Sequence, residues 1–294
     1  MRISLWAIAS VLRAREACLV LLLFCGCQPR LSSDLGLPAS QRITVMSYNV
    51  LGGRNTDGAR DLDRIAAVIL EVDPDLVALQ EVDRHTNRLG GLDLADELAS
   101  RTGMQHVFGP AMPFDGGEYG VAILSRYPIE RFENFALPNR EGSEPRTALV
   151  AFIEPPGWSE PFLFVSTHLD HQTDSTDRID QAERLVSVLG AYVEIPGILA
   201  GDLNAQMGSV PLSIIQATWN DSWRAGSGGE TFPSNIPEKR IDYVMVRPAG
   251  RWSVLKTLAG SVLKPDDQEW HELLRLASDH LPVVTILELV GGTK

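Results

Sequence analysis

From residue 43 onward, short apolar runs recur, and most of them end at an Asn, Asp, Glu or His. Ile43-Thr44-Val45-Met46-Ser47-Tyr48 leads to Asn49, and Leu76-Val77-Ala78-Leu79 leads to Gln80-Glu81. Phe164-Val165-Ser166 is followed by His168 and Asp170, and Ile198 to Gly201 by Asp202 and Asn204. Asp242 opens the run to Val246, and Asp279-His280 precede Leu281-Pro282-Val283-Val284. Runs this short read as buried strands, as do Val121 to Leu124 and Ala148 to Ile153. Helical spacing lies between them. Leu62, Ile65, Ala66 and Ile69 share a face of the segment Leu62 to Val72, which Pro74 stops. Leu94 to Thr102 ends on Gly103, a helix C-cap residue. Ile179, Ala182, Val186, Leu189 and Val193 predict a helix over 176–193. Strands mixed with a few helices predict an α/β fold, with two sheets facing each other and helices outside. Nothing interrupts the pattern over 41–290, so one domain is expected there.

The first segment does not belong to that pattern. Arg2, Arg13 and Arg15 precede an apolar run, Cys18 to Phe24, and then Cys25-Gly26-Cys27. This is the build of a secretory signal peptide. It is shorter than the roughly 20 apolar residues of a transmembrane helix. Leu23-Phe24-Cys25-Gly26-Cys27 resembles a bacterial lipoprotein processing site, which implies cleavage before Cys27 and a lipid on its thiol. The other reading is a plain signal peptide cut a few residues later. Residues 28–40 hold Pro29, Ser32, Ser33, Gly36, Pro38 and Ser40 and read as a tether. The expected organisation is therefore 1–27 signal peptide, 28–40 tether and 41–290 domain. It implies an exported protein, anchored to a membrane through Cys27 or else secreted. All three cysteines lie at or before Cys27, so the mature chain can form no internal disulfide.

Charge narrows the partners. The formal net charge is −12, and no Lys/Arg run occurs. Proteins that grip nucleic acid nonspecifically carry a basic stripe. Long nucleic acid is thus disfavoured as a substrate, although a local patch and bound cations can offset an acidic surface.

The residues at the strand ends share one chemistry. Asn, Asp and Glu are hard oxygen ligands, suited to Mg²⁺, Mn²⁺ or Ca²⁺. The mature chain has no cysteine pair or paired histidines for zinc. A hard cation with carboxylates and histidines is the equipment of phosphoryl transfer to water. Each element alone has a plainer explanation. Gln80-Glu81 can be a surface pair, Gly201-Asp202-Leu203-Asn204 a turn, Ser278-Asp279-His280 a cap, and Asp242 a salt-bridge partner of Arg240.

In order along the chain, these segments resemble the successive motifs of the endonuclease/exonuclease/phosphatase superfamily. They are Thr44 to Val50, Asp75 to Val82, Tyr119 to Arg126, Ser166 to Asp170, Gly201 to Asn204, Arg240 to Tyr243 and Ser278 to Pro282. The resemblance implies a four-layer α/β/β/α sandwich of two facing mixed β-sheets with outer helices. It implies a cation, Mg²⁺ or Mn²⁺, held by Glu81 and Asn49, with Asp279 near it. Asp202 would activate water, and Asn204 would hydrogen-bond that water and the scissile phosphate. His280 would donate to a phosphoryl oxygen, oriented by Asp242. His168 and Arg146 would contact phosphate.

Some features separate this chain from particular relatives. It has no basic loop of the kind that grips duplex DNA and no long apolar insertion that would enter lipid. Gln105 to Tyr119 and Gly226 to Lys239 read as loops near the cleft, and Asp115 and Glu118 in the first would disfavour a polyanion. The favoured reading is a monomeric phosphodiesterase acting outside the cytoplasm on a small or membrane-linked diester. A secreted nuclease and a phosphomonoesterase are the alternatives. A non-catalytic binding module should have lost Glu81, Asp202, Asn204, Asp242 or His280, and all five are present.

Overall fold

The computed structural model describes residues 41–158, 160–225 and 229–290. The expected signal peptide, Cys27 and the tether lie outside these residues. Two six-stranded sheets form the centre. The first comprises β1 (Arg42–Asn49), β2 (Leu76–Arg84), β3 (Gln105–Phe114), β4 (Gly117–Ser125), β11 (Trp252–Ala259) and β12 (Val283–Leu289). Its order is β11-β12-β1-β2-β4-β3. The second comprises β5 (Ile129–Leu137), β6 (Arg146–Ile153), β7 (Phe162–His168), β8 (Gly197–Asp202), β9 (Asn220–Asp221) and β10 (Asp242–Arg247), in the order β5-β6-β7-β8-β10-β9. Each sheet has one parallel pair at its centre, β1 with β2 and β7 with β8, and antiparallel neighbours elsewhere.

Alternation along the strands divides the apolar residues among three layers of core. Ile43, Val45, Leu76, Ala78, Phe164, Ile198 and Val244 fill the space between the sheets. Met46, Tyr48, Val77 and Leu79 face α1 (Leu62–Val72), α2 (Leu94–Thr102) and α6 (Gln268–Ala277). Val165, Leu199 and Met245 face α3 (Thr176–Gly190) and α4 (Val210–Gln216). Strands buried on both faces are therefore mostly apolar, and the expected four layers are present.

The helices begin and end on local signals. The Asp61 side chain accepts from Arg64 N at the start of α1, and Asp93 accepts from Ala95 N and Asp96 N at the start of α2. Gly103 closes α2 at φ 69°, a left-handed conformation that costs glycine little. The helix expected over 176–193 stops at Gly190, and Ala191 to Glu194 form turns. Among the described residues no helix is long and apolar enough to cross a membrane.

The segment Gln105 to Tyr119 is not a loop. It is edge strand β3, a tight Asp115-Gly116 turn and the start of β4. Its two prolines and a bulge between Pro110 and Met112 sit on the sheet edge, where missing ladder donors are tolerated. The described part of the second expected loop, 229–239, is irregular apart from a bridge between Phe232 and Lys239.

Candidate active site

Topology gathers the strand-end residues. Parallel pairing brings the C-terminal ends of β1 and β2, and of β7 and β8, to one end of the sandwich. Antiparallel β10 starts at that same end, with Asp242 opposite Asp202 and His168 opposite Asp202 on the other side. A cleft of about 800 Å³ opens there, lined by Glu81, Arg146, His168, Asp202, Asn204, Asp279 and His280 among others.

Two of these side chains are aimed by strained backbone. A bulge between Leu79 and Val82 puts Glu81 at φ 57°. The extra residue breaks the alternation that buries Gln80 and Val82 and turns Glu81 to the cleft. Asn204 sits at φ 45°, with its N–H donating to Asp202 Oδ1 at 2.9 Å. Left-handed non-glycine residues are uncommon and gather at functional sites.

On the Glu81 side, Asn49 Nδ2 donates to Glu81 Oε1 (3.0 Å) and to Asp202 Oδ2 (3.2 Å). Asn49 Oδ1 accepts from Leu51 N at 3.1 Å, which leaves that oxygen one lone pair. Burial, then the nearby Asp279 charge, raises the Glu81 carboxyl above its ordinary range, against the Asn49 hydrogen bond. Asp279 Oδ1 is buried without a hydrogen-bond partner among the described residues. Two neighbouring carboxylates, one with an orphaned oxygen, fit a hard divalent cation, which would remove both penalties. Glu81 and Asp279, with the free lone pair of Asn49, are the groups that would hold it.

On the other side, His280 links two acids. Its Nδ1 donates to Asp242 Oδ2 at 2.9 Å, and its Nε2 lies 3.7 Å from Asp202 Oδ2. Thr231 Oγ1 also donates to Asp242 Oδ2. Burial alone would lower the His280 pKa. The charges of Asp242 and Asp202 outweigh it and push the value up to about 10. Burial, then Asp242, raises Asp202 to about 7, with His280 opposing. One ligand atom from each of Asp202, Asp242 and His280 lies within 4.8 Å of the others. An imidazolium between the two carboxylates already supplies the positive charge such a trio needs, so Glu81 with Asp279 fits the cation better.

His168 and Arg146 form the third part. Arg146 Nη1 donates to His168 Nδ1 at 3.1 Å. Arginine can only donate, so Nδ1 is the acceptor and Nε2 carries the hydrogen. That nitrogen lies 3.5 Å from Asp202 Oδ2 and 3.1 Å from Asn204 Nδ2. Burial first, then Arg146, holds His168 well below the ordinary imidazole range, so the ring is neutral. Arg146 is anchored by Glu144 at 2.9 Å.

Ser278 ties the parts together. Its Oγ donates to the Asn49 carbonyl (2.6 Å) and accepts from His280 N (3.2 Å). Behind the cleft, Ser166 Oγ donates to the Leu79 carbonyl (3.1 Å), joining the two sheets.

The residues given roles from the resemblance, Asn49, Glu81, Arg146, His168, Asp202, Asn204, Asp242, Asp279 and His280, thus meet at one end of the fold. Arg240 pairs with Asp221 and leaves Asp242 to His280. Asp115 and Glu118 do not line the cleft. Asp115 accepts from Arg88 N, and Glu118 pairs with Arg84. Tyr119, Phe232 and Lys239 line the cleft from the two segments expected beside it, whereas Arg88 and His171 were not expected there. Arg88 lies on a turn and His171 on an irregular connection, where apolar periodicity carries no signal.

Comparison with known proteins places this arrangement. The Escherichia coli K12 uncharacterized protein YbhP is 28% identical over 222 residues, covering 70% of this chain and 85% of that one. A crystal structure of an endonuclease/exonuclease/phosphatase from Beutenbergia cavernae superposes with a TM-score of 0.66 at 25% identity, covering 85% of this chain and 72% of that one. The Bacteroides thetaiotaomicron mannosyl-6-phosphatase Bt3783 superposes with a TM-score of 0.61 at 24% identity, covering 85% and 100%. Members of the superfamily are divalent-metal-dependent hydrolases of phosphoester bonds. The model of the Endonuclease/Exonuclease/phosphatase family matches residues 46–280, and the chain belongs to that family.

Proposed function

We propose that this protein is a divalent-metal-dependent phosphodiesterase that acts outside the cytoplasm on a small or membrane-linked phosphodiester. One observation carries the reading. Glu81, Asp279, Asp202 and His280 line a single cleft, with Asp242 behind His280 on its Nδ1. The cation, Mg²⁺ or Mn²⁺, would screen the phosphate oxygens and stabilise charge as it develops.

The chain's own groups supply the rest. Asp202 orients water and takes its proton at Oδ2. Asn49 holds Glu81 and Asp202 in register. His280 Nε2–H donates to a non-bridging oxygen, with Asp242 fixing the ring through Nδ1. Asn204 Nδ2 and the Arg146 guanidinium hold the remaining oxygens; His168 Nδ1 positions Arg146, and the Leu169 carbonyl and Asp202 position Asn204.

Export is proposed from the basic, apolar and cysteine pattern of residues 1–27, and membrane attachment from Cys27. A monomer, with nucleic acid disfavoured as a partner, accords with the −12 charge.

A phosphomonoesterase is the second reading. Arg146, His168, Asn204 and His280 offer more donors than the two non-bridging oxygens of a diester require. The test follows hydrolysis of an aryl phosphodiester, an aryl phosphomonoester and plasmid DNA, with Mg²⁺, Mn²⁺ or chelator. Metal-dependent turnover ranked diester first supports the proposal. Preference for the monoester or for DNA replaces it with that reading.

A further inference from the structure

The cleft has a second built wall beside Glu81, and Arg88 forms it. Its guanidinium is held on several sides. Nε and Nη2 donate to the two oxygens of Asp83 at 2.6 and 2.7 Å, and Asp83 is fully buried. The guanidinium carbon stands 4.5 Å from the Phe114 ring centre and 5.9 Å from that of Tyr119. Gly52, at φ 64°, lies against it, and a Cβ there would come within 2.9 Å of Nη2. Nη1 is left without a hydrogen-bond partner among the described residues. Phe114, Tyr119 and Arg146 line the same cleft, so the wall continues toward the phosphate position.

The charges indicate what such a wall receives. Arg88 is neutralised by Asp83, and Arg146 by Glu144. Arg178 donates to the carbonyls of Asp170 and Gln172. A second phosphate would meet no uncompensated arginine on this wall. An ion-paired arginine held by two hydrogen bonds still presents fixed N–H donors, and the flanking rings offer apolar faces to C–H groups. Other walls carry the uncharged side chains Gln172, Thr173, Ser175, Gln206 and Ser209, with one lysine, Lys239, beside the Phe232 ring. Fixed donors, aromatic faces and neutral amides and hydroxyls match a sugar or polyol.

We propose that Arg88, positioned by Asp83, determines specificity by receiving a neutral, hydroxyl-rich group esterified to the phosphate. This rests on the phosphoesterase reading above.

The purified protein tests it with Mg²⁺ and bis(4-nitrophenyl) phosphate turnover as the reporter. Hexose 6-phosphate, hexose 1,6-bisphosphate and phenyl phosphate serve as competitors against wild type, Arg88→Ala and Arg88→Lys. Hexose 6-phosphate should inhibit wild type about tenfold more tightly than phenyl phosphate, equivalent to about 1.4 kcal/mol. Both variants should lose that difference while phenyl phosphate inhibits as before. Three results would overturn the proposal. The variants change all competitors alike, as a merely structural arginine would. The bisphosphate gains tightness through Arg88, which marks an anion site. Or Arg88→Lys behaves as wild type, which makes charge the determinant. Absence of any metal-dependent reporter turnover would instead overturn the phosphoesterase reading. The three ligands are then compared by thermal shift, where an Arg88-dependent response specific to the hexose phosphates supports the proposal and its absence rejects it.

Discussion

His280 stands between two acids, with Nδ1 2.9 Å from Asp242 Oδ2 and Nε2 3.7 Å from Asp202 Oδ2. Asp242 therefore fixes both the tautomer and the charge of the ring. Asp242→Asn keeps the shape and removes the charge. Activity should fall on the order of 10²–10⁴-fold, because the ring loses its orientation and its proton.

The same pair makes a pH prediction for the metal-free protein. The His280 pKa is raised to about 10 in the folded state, against roughly 6.5 unfolded. Its stabilising contribution is therefore complete below pH 6.5 or so and fades as pH rises through about 10. Thermal unfolding in chelator should show wild type ahead of Asp242→Asn near neutrality, with the gap narrowing above pH 9 or so. A gap that is constant to pH 11 or so would exclude a charged His280.

Glu81 is the carboxylate turned into the cleft by the β2 bulge. Glu81→Gln is nearly isosteric and removes the charge that faces Asp279. Mn²⁺ affinity measured by calorimetry should fall by at least about tenfold, with thermal stability unchanged or raised, since like-charge repulsion is relieved. Unchanged Mn²⁺ affinity would move the cation to the Asp202–Asp242–His280 trio.

Ser278 bridges the end of β1 and His280 through two hydrogen bonds. Ser278→Ala leaves a buried carbonyl and a buried N–H short of partners. Stability should fall by about 1–3 kcal/mol. The rate constant should fall while KM stays near its original value, because the reacting groups are displaced and not lost.

Arg146 brings His168, His171 and a carboxylate onto one guanidinium. Lysine cannot make these contacts together. Arg146→Lys should raise KM and lower kcat/KM by roughly 10- to 100-fold, an effect of about 1.4–2.7 kcal/mol. A steady-state profile indistinguishable from wild type would remove Arg146 from phosphate binding.

The sequence was legible where burial is symmetric. β1, β2, β7, β8 and β10 are covered on both faces, so each is a mostly apolar run with a polar residue at its cleft end, Asp242 opening β10 and the others closing theirs. β3, β5 and β11 were not recognised. They lie at or near sheet edges, where exposed positions interrupt the buried ones and weaken the pattern. The site residues could be named because short spacing ties each to its strand end. Their aim could not, because it depends on the Glu81 bulge and the left-handed Asn204. Arg88 was overlooked for a related reason. Its partners Asp83, Phe114 and Gly52 come together only when the β3–β4 hairpin folds over the turn after β2.

Asp202 is the centre of the account, since it touches Asn49, Asn204, His168 and His280. The most direct measurement is metal-dependent hydrolysis of an aryl phosphodiester by wild type and Asp202→Asn at matched folding and matched Mn²⁺ binding. The account predicts turnover in wild type that chelator abolishes, and a loss of about 10²–10⁴-fold in the variant. An Asp202→Asn protein that turns over at the wild-type rate would contradict it.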